Sequence, residues 1–147
     1  MKPNKMIKVM RIIVIISMII SVYLVYLHYS DKSSFCDISK GLSCDIVNKS
    51  VYSEFPPGSG IPVSLMGLIT FGIVLFLLNK IKKGKKNVNK KLSKYLFYLM
   101  LISLLFALYL IYAELVLILS ICILCVTLDI FIILLLILSY KLWRCYS

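Results

Sequence analysis

Acidic residues are scarce in this chain: its 147 residues include only six Asp and Glu against 17 Lys and Arg, which gives a net charge of +11. Histidine occurs once, at His28, which we interpret as an interfacial residue rather than a metal ligand. Alanine occurs only at Ala107 and Ala113, so no A-x-A-like cleavage site follows the first apolar run. We therefore expect that run to stay in the protein as a helix and not to be removed as a signal peptide.

Apolar residues, by contrast, make up 61% of the chain, which is more than a soluble globular domain usually carries. They form four stretches, at about residues 10–27, 61–78, 95–114 and 120–140. A helix needs roughly 20 apolar residues to cross a bilayer, so four spans use most of the length. The sequence therefore predicts one all-α domain over residues 1–147, an integral membrane bundle of four transmembrane helices.

The basic residues mark the ends of these stretches. They precede the first stretch, follow the last, and fill the loop at residues 79–94 with eight lysines between Lys80 and Lys94 and no acid. Because Lys and Arg accumulate on the cytoplasmic side of membrane proteins, we expect both termini and the 79–94 loop to be cytoplasmic and the 28–60 loop to be extracytoplasmic. These charges flank lipid-length segments, so we expect no nucleic-acid partner, and attraction to anionic lipid is a by-product.

The 28–60 loop carries the signal of a short surface helix. Ser43 is a favoured N-cap residue, and Ile46, Val47 and Val51 would share one face of a helix through Asp45–Ser53. The prolines and glycines at residues 56–60 end that helix before the second span begins.

Four of the five cysteines form two pairs at the same predicted end of the bundle. Cys36 and Cys44 lie in the 28–60 loop, and Cys122 and Cys125 form a C-x-x-C at the start of the last span. An extracytoplasmic site permits disulfides, and unpaired N–H groups at a helix start stabilise a reactive thiolate. A flexible loop can carry a disulfide to another thiol, so the pairs indicate an electron relay. Cys145, in the cytoplasmic tail, is expected to be a free thiol.

Three other interpretations of the cysteines stay open at this point. The pairs could be two structural disulfides, the four cysteines could bind zinc or copper, or the C-x-x-C could be an ordinary part of an apolar core. Nothing else in the sequence resembles a zinc ribbon, so we expect no metal.

With these features the chain resembles the small prokaryotic, single-domain form of the vitamin K epoxide reductase family over about residues 12–140. The matching parts occur in order: a C-x7-C with Ser50 six residues after Cys44, the stretch GIPVSLMG that opens the second span, and the C-x-x-C that opens the last. The DsbB family does the same work, but its C-x-x-C lies in the first external loop. The order of the motifs therefore favours the epoxide reductase type.

The resemblance implies a four-helix bundle around a quinone of the menaquinone, ubiquinone or vitamin K type. Cys122 and Cys125 would form the active-site disulfide, with Cys125 facing the quinone. Cys44 would attack Cys122, and Cys36 would meet the cysteine of a thioredoxin-like partner. Ser50 would sit near the quinone and help to hold the surface helix over the site.

The function implied is that of a quinone-dependent thiol oxidase that passes disulfides outward and supports oxidative protein folding. Its partner would be a separate, secreted thioredoxin-like protein, since the 147 residues contain no such domain. Two alternatives stay open: a quinone or quinone-epoxide reductase working in the opposite direction, and a non-enzymatic membrane protein with structural disulfides.

Two acids lie inside or at the edge of the predicted spans. Asp129 follows Cys125 by four positions, which places it on the same helix face one turn deeper. An acid inside a span is costly and usually functional, so Asp129 is a candidate to bind a quinone oxygen or to take up a proton; a hydrogen bond between helices is the alternative. Animal members of the family carry a tyrosine at this position. Glu114 is expected near the outer surface, without a special role.

Overall fold

The computed structural model describes every residue, 1–147, and consists of helices with no β-strand. Four long helices and one short one follow each other along the chain: α1 (Pro3–Tyr29), α2 (Cys44–Asn48), α3 (Val63–Lys83), α4 (Lys86–Tyr112) and α5 (Ile123–Tyr146). A 3₁₀ turn at Val51–Ser53 follows α2, and a π-helical turn at Ala113–Ile118 extends α4. The predicted all-α membrane bundle with a short surface helix is confirmed.

The four long helices are each long and apolar enough to cross a membrane, which makes this a multi-pass membrane protein. Even the shortest of them, α3, has 21 residues and spans about 32 Å at 1.5 Å per residue, against a hydrocarbon layer of about 30 Å. The apolar stretches at residues 10–27, 61–78, 95–114 and 120–140 lie along these helices. The helices run further than the stretches at the basic ends, where lysine continues the helix.

Proline and glycine residues mark several of the helix ends. Pro3 and Pro62 stand at the starts of α1 and α3, where proline loses no hydrogen bond and its φ already suits a helix. Gly84 ends α3, and α4 begins two residues later. That connection is too short for anything but an antiparallel pair of helices.

The core runs along the bundle axis, toward the end that holds the lysine loop. Its most deeply buried side chains come from all four long helices: Met10, Val14, Val74, Leu78, Leu96, Met100, Leu135 and Leu142. Arg11 of α1 donates a hydrogen bond to the side-chain oxygen of Asn79 in α3 near this end. α1 packs most closely on α3, and α4 on α5, so the bundle consists of two helix pairs that meet along α1 and α5.

The up-and-down order of the helices gives the bundle two chemically different ends. We call the end with residues 30–62 and 119–122 the cysteine end, because both cysteine pairs lie there. The opposite end carries both termini and the connection at Gly84, and we call it the lysine end.

The surface helix α2 is fastened to α1 at the cysteine end. Ser43 caps it by accepting the N–H of Ile46 at 3.2 Å. The amide nitrogen of Asn48 donates to the carbonyl oxygen of Leu24 in α1 at 2.8 Å. In turn, Nδ1 of His28 lies 2.7 Å from the carbonyl oxygen of Asn48. The histidine is therefore a bridge between α1 and α2, which is more than the interfacial residue we expected.

The predicted helix through Asp45–Ser53 is shorter than expected. α2 ends at Asn48 and is followed by the separate 3₁₀ turn. The hydroxyl of Ser50 donates to the carbonyl of Val47 at 2.8 Å, and that of Ser53 donates to the carbonyl of Asn48 at 2.6 Å. Serine hydroxyls compete in this way for the carbonyls that a continuing helix would use, which accounts for the break.

Replacing Asn48 with alanine is expected to loosen the surface helix from α1. The change removes one buried hydrogen bond, worth about 1 kcal/mol, which corresponds to about a fivefold larger open population. Limited proteolysis of the protein in bilayers measures this as faster cleavage within residues 30–62. The exposed residue Asp37 of the same loop provides the matched control, since Asp37→Asn should be cleaved at the wild-type rate. Equal cleavage of Asn48→Ala and wild type would show that this bond does not hold the helix.

Candidate functional site

The two predicted cysteine pairs are both bonded as disulfides. Cys36 is joined to Cys44 with their Cα atoms 5.8 Å apart, and Cys122 is joined to Cys125 with their Cα atoms 5.2 Å apart. Both separations lie in the usual range for a disulfide. Cys145 is the free cysteine, and it is exposed at the lysine end.

The loop that holds the first pair is docked against the segment that holds the second. The chain turns back on itself at Ser39–Leu42, and the carbonyl of Gly41 accepts the N–H of Ile121 at 3.0 Å. Leu42 and Ile121 form a short parallel bridge. Because Cys44 and Cys122 follow these paired residues closely in the chain, the bridge brings the two disulfides together.

The sulfurs meet in one small apolar cluster, apart from the main core. Cys44 and Cys122 are fully buried in it, and Cys36 is only 4% exposed. Leucines from α1 and Val47 from α2 complete the cluster. Cys36 also has a polar neighbour, the hydroxyl of Ser34 at 3.5 Å from its sulfur. The outer disulfide is therefore covered, and it belongs to the same buried cluster as the inner one.

Cys122 occupies the N-cap position of α5. Its sulfur accepts the backbone N–H of Cys125 at 3.2 Å, so the sulfur faces the positive end of the helix. Unpaired N–H groups and the helix dipole at such a position stabilise a thiolate. The backbone N–H of Cys122 itself donates to Oε2 of Glu114 at 3.3 Å. The C-x-x-C is thus held from both sides, by its own helix and by the turn at the end of α4.

A cavity of about 350 Å³ lies inside the bundle beneath the surface helix. All four long helices contribute to its wall, and α2 and the following turn contribute Val47, Asn48, Tyr52, Ser53 and Phe55. The wall is mostly apolar, and no Lys, Arg or His reaches it. Its size falls in the range of small-molecule sites. Cys125 lines the cavity, so one sulfur of the inner disulfide faces a chamber suited to an apolar ring.

Asp129 lines the same cavity, one turn deeper along α5 than Cys125. Its side chain is 8% exposed, and Oδ2 has no hydrogen-bond partner. The hydroxyl of Ser21, on the α1 wall, is also buried without a partner. By contrast, Ser17, Ser103 and Thr70 donate to carbonyls of their own helices. Buried polar groups that lack partners are uncommon, and here they fit a ligand with oxygen acceptors on an apolar ring, such as a quinone.

The buried position of Glu114 was not predicted from the sequence. It was expected near the outer surface without a special role, but its side chain is 5% exposed and lines the cavity. The π-helical turn and the left-handed backbone of Leu119 (φ 57°) return the chain from α4 toward Cys122. One signal could have found Glu114: it is an acid in an otherwise apolar run, eight positions before the C-x-x-C.

Ser50, predicted to sit near a quinone, is not part of the cavity wall. Its hydroxyl instead donates to the carbonyl of Val47 at the end of α2. Tyr52 and Ser53, which follow it in the 3₁₀ turn, reach the wall. Ser50 therefore helps to hold the turn that covers the cavity, whereas its neighbours Tyr52 and Ser53 contact the cavity.

Comparison with known proteins agrees with this arrangement. The model of the vitamin K epoxide reductase family matches residues 8–140, which is nearly the whole chain. No curated protein matches the chain.

The juxtaposition of the two pairs predicts that Cys44 and Cys122 can bond to each other. In a Cys36→Ala/Cys125→Ala variant these two sulfurs have lost their own partners but still share one buried cluster. We expect them to form a disulfide on mild oxidation in most molecules, as measured by mass spectrometry of peptides under non-reducing conditions. In the matched variant Cys44→Ala/Cys122→Ala, which leaves Cys36 and Cys125, the yield should be several-fold lower. Similar yields in both would mean that the docked loop does not select one pair.

Proposed function

This chain belongs to the vitamin K epoxide reductase family, and we propose that it is a quinone-dependent thiol oxidase. The family makes it a membrane oxidoreductase that works through cysteine pairs and is linked to quinones. Two points go beyond the family assignment: the direction of electron flow and the class of the electron donor. Electrons would enter from a separate thioredoxin-like protein and leave to a membrane quinone.

One observation carries the proposal: the inner disulfide lies between the outer pair and the cavity. Cys122 is buried in the same cluster as the outer pair, and Cys125 lines the cavity. Disulfide exchange proceeds by attack of a thiolate on a sulfur in contact with it. A purely structural pair of bridges would not require one sulfur to face a ligand-sized chamber.

The residues would act in a fixed order. Two thiols of the partner reduce the Cys36–Cys44 disulfide by way of a mixed disulfide with Cys36, and the partner leaves with its own cysteines joined as a disulfide. The Cys44 thiolate then attacks Cys122, which opens the inner bond and leaves Cys125 as the departing sulfur. Cys36 attacks Cys44 in the mixed disulfide, which restores the outer disulfide and leaves the inner pair as two thiols. Cys122 and Cys125 then re-form their disulfide and give up two electrons and two protons, which a quinone held by the cavity wall would take up.

The cavity wall would bind the quinone head and keep water from it. Apolar side chains from four helices would surround the ring, and the protonated carboxyl group of Asp129, whose Oδ2 has no other partner, would donate a hydrogen bond to a quinone oxygen. The surface helix closes the chamber at the cysteine end, so reduced sulfur at Cys125 is shielded from soluble oxidants. We place the cysteine end outside the cytoplasm, because the lysine loop and both basic termini lie at the other end.

The direct test is quinone reduction by the purified protein, with menaquinone and ubiquinone analogues and a small dithiol as donor. Cys125→Ala should lose turnover completely, because no sulfur then faces the cavity. Cys36→Ala should keep turnover with the small dithiol but lose it with a reduced thioredoxin-like donor. If wild type reduces none of these quinones, the two disulfides are better explained as structural bridges. Turnover that survives in Cys125→Ala would contradict the proposed route.

The role of Asp129 can be tested by Asp129→Asn, which keeps the shape of the side chain but removes its charge and its proton. We expect kcat/KM for the quinone to fall by about 100-fold, because asparagine can still donate a hydrogen bond but has no proton to transfer. Asp31→Asn, the same change at an exposed position outside the cavity, serves as the control and should match wild type. An unchanged kcat/KM in Asp129→Asn would assign this acid to helix packing.

A further inference from the structure

The route described above does not use Glu114, although this residue touches the active C-x-x-C. Oε2 of Glu114 accepts the backbone N–H of Cys122 at 3.3 Å. The nitrogen and the sulfur of one cysteine are only three bonds apart, so rotation of the Cys122 side chain about one bond can bring its thiol toward the carboxyl group once the disulfide is open. The same residue lines the cavity that Cys125 faces. Glu114 therefore connects the buried sulfur of the inner pair with the chamber.

We propose that Glu114 accepts the thiol proton of Cys122 in the step that re-forms the Cys122–Cys125 disulfide. The inference rests on the proposed function only for the direction of that step. Cys122 must lose its proton before its sulfur can attack, because the thiolate is the nucleophile in disulfide formation. A fully buried thiol has no bulk water to which it can release that proton.

No basic side chain is available for the task. The titratable groups of the cavity wall are Glu114, Asp129, Tyr52 and Cys125 itself. Asp129 lies one turn deeper than Cys125 along α5, away from the N-cap position of Cys122. Tyr52 lies on the surface turn that covers the chamber. Glu114 is the carboxyl group that the structure places in contact with Cys122, and a positioned acid or base of this kind typically changes a rate by 10²–10⁴-fold.

In this step the proton first passes from the Cys122 thiol to the Glu114 carboxylate. The Cys122 thiolate attacks the Cys125 sulfur while Cys125 is bonded to its oxidant, which forms the disulfide and expels the oxidant as a two-electron-reduced leaving group. Glu114 returns its proton to that reduced group through the cavity it lines. The two thiols are oxidised, and the oxidant, a quinone in the proposed function, is reduced.

A test without quinone isolates this step. In a Cys36→Ala/Cys44→Ala/Cys145→Ala protein, only Cys122 and Cys125 remain. After reduction, an aromatic disulfide that releases a coloured thiol is added. Its first thiol reports attack by Cys125, the sulfur that faces the cavity. The second thiol is expelled as Cys122 closes the disulfide, in a phase whose rate does not depend on reagent concentration.

Glu114→Gln in this background should slow the second phase roughly 100-fold and leave the first phase within about threefold of the parent. Glutamine can still accept the Cys122 N–H, so a purely structural bond would be kept. The rate of the second phase in the parent should also fall at acidic pH, when Glu114 is protonated. In Glu114→Gln the fall should begin at a higher pH, because the rate then follows the ionisation of the Cys122 thiol alone. Asp31→Asn is the matched control and should behave as the parent.

Each outcome decides the proposal. A second phase as fast in Glu114→Gln as in the parent overturns it. Equal slowing of both phases, or slowing in Glu114→Ala with full rate in Glu114→Gln, assigns Glu114 to holding the turn and also overturns it. Because the assay contains no quinone, a protein that reduces no quinone would refute the proposed function and leave this result standing.

Discussion

The need of every backbone group for a hydrogen bond is the constraint on which this structure depends. Inside a bilayer only a helix meets that need within a single segment, so the membrane part of the chain consists of helices alone. Everything irregular, including the loop at residues 30–43 and the segment at 119–122, lies at the helix ends. Both cysteine pairs lie in or directly next to these two segments. The relay is therefore confined to one end of the bundle, where the cavity beneath it still reaches the apolar layer.

Within that end, one backbone hydrogen bond sets the order of the sulfurs. The bond from the N–H of Ile121 to the carbonyl of Gly41 joins two loops that are far apart in sequence. It leaves Cys44 and Cys122 buried in one cluster, while Cys125 faces the cavity and Cys36 lies under the cover of the outer loop. The docked loop is thus arranged for exchange between the pairs. The sulfur of Cys36 is covered in this arrangement, with only 4% of the residue exposed.

Much of the fold was predictable because it follows from composition along the chain. Long apolar runs give the four helices, and Ser43 gives the start of α2. The pairing of the cysteines at one end follows from the number of spans that separate them. The predicted end of the surface helix was wrong because of local hydrogen bonding. The hydroxyls of Ser50 and Ser53 donate to carbonyls that a longer α2 would need.

The parts of the site that the sequence did not predict depend on which side of a helix faces the bundle interior. Composition does not show this. In a run that is apolar on all sides, such as α4, periodicity does not show which side faces inward. Glu114 turns inward because the helix ends in a wider, π-helical turn, and π-helical segments are often found at functional sites. The loop that docks on Ile121 is likewise a long-range pairing. No local pattern in the sequence encodes it.

Burial of two acids in an apolar bundle lowers the stability of the fold. The position of the two acids indicates a function that accounts for this cost. A carboxyl group in a membrane span is costly, and either a charge or an unpaired polar oxygen adds to that cost. Glu114 and Asp129 both line the one chamber that Cys125 faces. Oxidation of two thiols releases two protons with two electrons, and charge left behind in such surroundings would raise the barrier to each step. In the proposed mechanism, carboxyl groups on the wall of the same chamber would let the proton and the electron pair move together, which would link their cost to folding with the chemistry of this chamber.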